Sequence, residues 1–359
     1  MTVTWAPTTQ QILDLDGVNI RADRFGAELL SKDLEVIGDL EWDADRPPTI
    51  TNDATQNVPR SVQSLYLPAG TVDDINPVSD RARFYMTLQN GERFDLGVFL
   101  WAVDKRPERP WGVEAASSMV DQCHILDQPM STSTGQNKGA NIIVAALGLI
   151  FALIPPERVT WQPSSAGLSA PVANQPGANR LQVVNDYMAK AGYLPVYFDR
   201  HGQLILRDAP EITSTTQPDH VYELGGRIIA DSITGGDDLL DAHNRFVAYE
   251  SSGQGAAVVG RYDIPAIAPH SIANRGFPVT RVESVQGLQT TAQAVRAARC
   301  MYLTDGKPYR TKEFSSTADP RHDTWDIVRL LGELYIETRW SMTLRSGEPM
   351  AHTVRRLFQ

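Results

Sequence analysis

The sequence predicts an α+β protein in which β-structure dominates. Three observations lead there. Short alternating apolar runs, separated by Gly, Asn, Asp and Pro turns, fill the first and last thirds of the chain. Residues 83–103 carry the clearest hairpin pattern, with alternation on both sides of Asn90-Gly91. Helical period is confined to a few stretches, the strongest at 142–154, 179–191 and 290–302, so the middle of the chain reads as mixed helix and strand.

Taken in order, Asp16-Gly17 opens a turn, and Arg24–Leu30 reads as a brief helix or an irregular crossing. Residues 34–38 and 58–67 read as short strands, with Pro47-Pro48 breaking the chain between them. In the hairpin, Phe84, Met86 and Leu88 alternate, Asn90-Gly91 predicts a type I′ turn, and Phe94, Leu96, Val98 and Leu100 alternate back. Many short strands joined by turns favour a sandwich or small barrel over 1–112, closed by a linker at 104–112 that carries Pro107, Pro110 and Trp111.

Residues 113–225 are mixed α/β. Helix and strand readings both fit 115–126, and 131–139 is a polar turn. Residues 142–154, IIVAALGLIFALI, are uncharged and closed by Pro155-Pro156. A membrane span needs about 20 such residues, so the run predicts a buried core helix. Being apolar all round, it should be enclosed on every side by its own domain or by a neighbouring subunit. The first residues, MTVTWAPTTQ, lack the basic-then-apolar order of a signal peptide. Residues 164–177 read as an ordered surface loop.

The most legible stretch is 179–208. Leu181, Val184, Met188 and Ala191 form one helical stripe, and Gly192 supplies a left-handed cap. Leu194, Val196 and Phe198 then alternate, 199–202 turns, and Leu204 and Leu206 return. This predicts a helix laid against a hairpin, a compact docking unit.

The final third, 226–359, returns to strands. Residues 227–233 and 244–250 read as strands around a turn at 235–238, with a partner strand at Val258, Val259 and Tyr262 and a short piece at 281–284. Ala294, Ala297, Ala298 and Met301 share one face of a helix over 290–303. Residues 312–316 are extended, Asp319-Pro320 breaks the chain, and 326–331 and 335–344 complete the framework, with Ser346-Gly347 as a hairpin turn.

Composition sets limits on function. A chain of 359 residues predicts roughly two to three domains. Hydrophobic content of 42% and charged content of 21% suit a folded, water-soluble protein rather than a disordered one. A net charge of -10, without a dense Lys/Arg run, disfavours a phosphate-neutralising surface. Cys123 and Cys300 lie far apart with no CxxC spacing and read as buried free thiols, with a disulfide as the lesser reading.

Enzyme signatures are weak. His322-Asp323 with Asp319 can be drawn as an acid–base or metal cluster, but Asp319-Pro320 reads as a turn, where polar neighbours are expected. Asp237-Asp238 invites a glycosidase reading, yet adjacent strand residues face opposite ways. Asp219-His220 stands no better. The glycine cluster at 251–255 lacks GxGxxG spacing, and no GxSxG, GxxxxGK[ST] or HExxH occurs. No catalytic, cofactor-binding or metal-ligating residue is therefore assigned, and no cofactor is expected. Trp5, Trp42, Trp101, Trp111, Trp161, Trp325 and Trp340 are spread through the chain and read as core or interface anchors rather than a sugar-stacking platform. Arg355-Arg356 either pairs with a neighbouring subunit or is solvated.

One resemblance runs through most of the chain. DLGVFL at 95–100 is followed by the apolar helix and by AGYLPVYFDRHGQL at 191–204. HNRFVAYES at 243–251, AQAVRAARCMYL at 292–303 and STADPRHDTWDIV at 316–328 come next. Together these resemble the baseplate hub proteins, also called tail-associated or minor tail proteins, of long-tailed bacteriophages of the siphophage type, especially those of actinobacteria. The resemblance implies two small tube-type β-barrels, in 1–112 and within 226–359, the second possibly discontinuous, with an α/β decorating region at 113–225 between them. It further implies a homotrimeric hub at the distal tail tip of the virion, assembled in the host cytoplasm, that caps the tail tube and adapts a six-fold tube to a three-fold tip. Its partners would be the distal tail protein ring, the tape measure protein and other tail-tip or receptor-binding proteins. Double-stranded DNA would meet it only in transit during ejection, with no stable membrane insertion, and the net charge of -10 would suit an acidic bore that repels the duplex. Past about residue 347 there is no room for the fibre or peptidoglycan-cleaving domain that some such proteins append. The alternative expectation is a tail component that binds host cell-wall carbohydrate.

Overall fold

A computed structural model describes residues 23–68, 75–105, 115–223, 226–228, 232–250 and 258–358. The expected turn at Asp16-Gly17, Trp5, Trp111, most of the expected linker and the 251–255 glycine cluster lie outside the described residues.

Seven strands build the first part: β1 (Arg24–Leu30), β2 (Val36–Asp39), β3 (Thr49–Asp53), β4 (Arg60–Leu67), β5 (Arg81–Thr87), β6 (Arg93–Lys105) and β7 (Ala115–Asp121). The expectation of a helix or irregular crossing at Arg24–Leu30 is corrected. All seven residues pair antiparallel with β5, and Ala27 and Leu29 turn inward. Tertiary pairing overrides local preference here. Gly26 fits because a Cβ there would lie 2.4 Å from the Tyr85 hydroxyl. The β5–β6 hairpin is as expected, but its turn is not type I′. Leu88 and Glu92 close a three-residue loop, with Gly91 at φ +87° and Asn90 outside the positive-φ region. This is the type I turn with a left-handed glycine that makes three-residue hairpins. Strand β3, just past the proline pair, was not anticipated.

The ambiguous stretch 115–126 contains both structures: β7 leads into a single helical turn, α1 (Cys123–Leu126). The middle region continues with β8 (Thr134–Gln136), α2 (Ile142–Ile150), β9 (Val159–Trp161), β10 (Val172–Asn174), α3 (Arg180–Ala191), β11 (Tyr197–Phe198), β12 (Leu204–Leu206) and β13 (His220–Tyr222). Helix α3 matches its predicted stripe: Leu181, Val184, Met188 and Ala191 are fully buried. Asn179 accepts a hydrogen bond from Gln182 N at its start, and Gly192 ends it at φ +77°. β11 and β12 form the expected hairpin, and β12 pairs parallel with β9. Both faces of the hairpin are covered, since Phe198 enters the core around α2 and α3 while Tyr197 enters a separate core with Phe246, Ala297 and Ala298. Its own domain does not enclose helix α2 on all sides. Val144 is exposed on one flank, and Phe151 and Leu153 just past its end are also exposed, with Phe151 edge-on to exposed Trp161 at 6.1 Å. No helix among the described residues is long and apolar enough to cross a membrane.

The last part contains β14 (Thr234–Asp237), β15 (Arg245–Tyr249), β16 (Val259–Asp263), α4 (Ile272–Arg275), β17 (Thr280–Ser284), α5 (Thr291–Leu303), β18 (Arg310–Thr317), β19 (Ile327–Leu330), β20 (Glu333–Thr343) and β21 (Pro349–Arg356). The expected turn at 235–238 is corrected: Thr234–Asp237 is an exposed strand paired with β18. Glycine serves there because a Cβ at Gly235 would sit 2.5 Å from the Thr311 carbonyl. β16, β15 and β17 form a small sheet covered by α5.

The first and last parts share one sheet. β3 pairs antiparallel with β20, giving the order β14-β18-β21-β20-β3-β4-β7-β6-β5-β1-β2, with β19 branching from β20 and β13 joining it in parallel. The protein is thus mostly β, as expected. The described pairings do not close into a barrel, and β2 and β14 are the two ends of the path.

Candidate functional site

Four elements converge on a buried polar layer. The loop from Asp319 to Asp326 joins β18 to β19, and it holds the Asp319, His322 and Asp323 that read as plain turn residues. A turn they are, but Asp319 and His322 are almost wholly buried. His220 and Tyr222 arrive on β13, Glu337 on β20 and His352 on β21.

Asp319 is bracketed by Arg321, at 2.9 and 2.8 Å, and by Arg227. Burial alone would raise its pKa, but Arg321, His220 and Arg227 outweigh that and hold it well below the usual carboxylate range. His220 Nε2 lies 3.1 Å from Asp326 and its Nδ1 3.7 Å from Asp319. Burial opposes charge on this ring, yet the two carboxylates prevail and push it up to about 9. The His220 ring stacks on His322, centroids 3.6 Å apart and planes within 10°.

Glu337 sits between two imidazoles. His322 Nδ1 is 2.6 Å from one oxygen and His352 Nδ1 is 2.7 Å from the other. The far nitrogens meet hydroxyls: Tyr222 Oη at 2.6 Å from His322 Nε2, and Ser316 Oγ at 2.8 Å from His352 Nε2. Phe314 stacks on His352 at 4.5 Å.

Asp323 faces the other way. It pairs with buried Arg60 of β4, and its carbonyl accepts from Asn52 of β3 and Trp340 of β20, each at 3.4 Å. The layer thus clamps the loop to the strands that join the two parts of the sheet. Asp219 is also structural, accepting from Ile327 N at 2.7 Å.

The other candidates separate. Asp237 holds Arg310 through two bonds of 2.7 and 2.8 Å, and Asp238 caps the backbone of Leu240 and Asp241. The two carboxylates are thus engaged with different partners. Arg355 is neither solvated nor free for a neighbour, since it is buried and donates to the Asp305 carbonyl; Arg356 donates to Leu334 O at 3.1 Å. Trp325 and Trp340 are buried and Trp42 packs on Phe84 at 6.0 Å, while Trp161 is exposed. Cys123 and Cys300 are free and buried, as expected.

Two sets of donors come close enough for one cation: His220, His322 and Asp326, and His322, Glu337 and His352. The first fails on geometry. Imidazole lone pairs lie in the ring plane, so two parallel stacked rings cannot aim at one ion. The second is held together by hydrogen bonds, its N···O separations of 2.6 and 2.7 Å being too short for two ligands of one ion. Sequence spacing did not reveal it, because its members come from a loop and two strands. One signal was available: His352 stands between Met350 and Val354 at an inward register of β21, a polar residue in a core position.

Scanning protein-family models gives no match, and no curated protein matches. Solved structures do match, and they define the fold class as that of phage tail proteins. The 43 kDa tail protein of prophage MuSo2 from Shewanella oneidensis is 13% identical, with a TM-score of 0.59 over 93% of this chain and 98% of that one. The tail protein from Neisseria meningitidis MC58 is 11% identical, with a TM-score of 0.60 over 93% and 96%. Prophage tail protein gp18 from Listeria monocytogenes EGD-e is 11% identical, with a TM-score of 0.54 over 93% and 95%. At these identities the shared property is the fold, and it spans nearly the full length of each chain.

Proposed function

We propose that this chain is a structural virion protein, a homotrimeric hub at the distal tail tip that caps the tail tube and docks other tip proteins. The observation that carries this reading is the near full-length likeness to phage tail proteins, combined with an open sheet whose described order ends at β2 and β14. Free strand edges are costly in a lone molecule and useful in a ring. Val36 and Ile37 on β2 are more than half exposed, apolar surface that an assembled neighbour would cover.

In this reading 1–112 and 226–359 supply the two tube-type β-barrels per subunit, with curvature completed on assembly, and 113–225 decorates the outside. Three subunits then present six similar faces to a six-fold tube. The distal tail protein ring, the tape measure protein and receptor-binding components are the partners, and DNA passes through the bore without adhering to an acidic wall. The side chains form and break no covalent bond. The carbohydrate-binding alternative gains little from the tryptophans, since among the described ones only Trp161 is exposed. Native mass spectrometry of the purified full chain tests the reading: a trimer, or a monomer that trimerises on the tail tube, is expected. A persistent monomer that hydrolyses or binds cell-wall glycan would overturn it.

A further inference from the structure

We propose that Glu337 is a neutral carboxylic acid at physiological pH, the proton-loaded link in a one-way hydrogen-bond chain that latches the loop of residues 319–326 onto β20 and β21. The chain runs from Tyr222 on β13 through His322 in the loop, Glu337 on β20 and His352 on β21 to Ser316 on β18. Its contacts are 2.6, 2.6, 2.7 and 2.8 Å in that order. The last member sets the direction. Ser316 Oγ has a single hydrogen and donates it to the Thr317 carbonyl at 2.9 Å, so Oγ accepts from His352 Nε2. A neutral ring with hydrogen on Nε2 has a lone pair on Nδ1, and that lone pair faces a Glu337 oxygen. Two acceptors do not meet at 2.7 Å without a hydrogen between them.

That hydrogen sits on the carboxyl. Burial, reinforced by the charges of His220 and Arg227, pushes His352 down to about 3 and denies the ring a second proton. Burial raises Glu337 well above its ordinary 4.5, and the carboxylates of Asp326, Asp319 and Asp219 act in the same direction. The neighbouring cations are already matched: His220 lies between Asp319 and Asp326, and Arg227 and Arg321 bracket Asp319. Glu337 therefore donates to His352 with one oxygen and accepts from His322 Nδ1 with the other. His322 Nε2 in turn accepts from the Tyr222 hydroxyl. Each link from His322 to Ser316 donates once and accepts once, which a buried polar chain needs.

The latch is sensitive to pH. Folding raises the Glu337 pKa above its unfolded value, so folding takes up a proton at this site. The stability it contributes is complete below 4.5 and is lost as pH climbs toward the folded value. An ionised Glu337 would need an N–H from both rings, and Ser316 would have to turn its hydrogen from Thr317 to His352. The loop is thus held most firmly in mild acid, and its grip on β20 and β21 weakens as pH rises.

The test is Glu337→Gln in the full chain. Glutamine reproduces the neutral acid, with its amide nitrogen donating to His352 Nδ1 and its carbonyl accepting from His322 Nδ1. The variant should fold, and denaturant unfolding should show it gaining on the wild type about tenfold in folding constant per pH unit between about pH 5 and 8. Other titrations are common to both chains and cancel. Against an ionised Glu337, glutamine would set an amide N–H against a ring N–H. A variant less stable than wild type at pH 8, or a difference that stays constant with pH, would therefore overturn the proposal. A second measurement needs no substitution. With glutamate carboxyls labelled with carbon-13, the wild type at pH 7 should show the label-shifted infrared band of a protonated glutamic acid. Glutamates that all absorb as carboxylate would overturn it.

Discussion

Single residues show how much the buried polar groups constrain this protein. Asp121, at the end of β7, is wholly buried; one oxygen accepts from Cys123 N at 2.5 Å and the other has no hydrogen-bond partner. Burial dominates its titration and pushes it up to about 6 from 3.8, with Arg60 opposing and Asp323 reinforcing the rise. A raised carboxyl contributes stability that is complete below pH 3.8 and is lost as pH climbs through about 6. Asp121→Asn should remove that dependence while keeping an acceptor for Cys123. Denaturant midpoints of the two proteins, compared from pH 4 to 7, should therefore move in favour of the variant by roughly 3 kcal/mol as pH rises. A constant difference across that range would refute the assignment. At this scale the sequence was least informative: Asp319 and His322 could be placed in a turn, but nothing local announced that the turn is folded inward.

Elements were read well wherever their signals were local. Helix α3 carries its stripe, its Asn179 cap and its Gly192 stop within fourteen consecutive residues, 179–192, and the hairpin that follows changes period at once. Helix α5 was legible for the same reason. Strands β1 and β14 were misread because their partners, β5 and β18, lie far along the chain and supply the pairing that the local sequence does not advertise. The hairpin turn was misread more narrowly, since Asn-Gly also fits the three-residue loop. The contact between α5 and its sheet gives a prediction at this scale. A Cβ at Gly260 of β16 would stand 2.1 Å from the Ala294 backbone carbon, so Gly260→Ala must push the helix off the sheet. A loss of about 1–3 kcal/mol is expected from overpacking, read by thermal or denaturant unfolding. An unchanged Tm would show that the helix seats less tightly than the structure indicates.

At the scale of the whole molecule, fold class was recoverable and connectivity was not. Mostly β-structure with an α/β middle follows from period and turn residues, but the joining of both ends into one sheet depends on β3, a five-residue strand that no pattern singled out. Its neighbours are β4 on one side and β20 on the other. Strand β21 in turn lies between β18 and β20. A chain truncated after Thr343 therefore strips both of those strands of a partner at once. Such a protein should be insoluble or rapidly digested by protease in the last third, as limited proteolysis with mass mapping would reveal, and a protease-resistant truncated chain would contradict the topology.

Trp340 stands opposite Asn52 in the ladder between β20 and β3. The ribosome must reach β20 before that early strand acquires its second neighbour, which makes completion of the sheet a long-range event. A fragment that stops short of β20 leaves β3 with β4 as its single neighbour in the sheet. Geometry alone then acts as proofreading, since a truncated chain cannot close the seam between the two parts of its sheet.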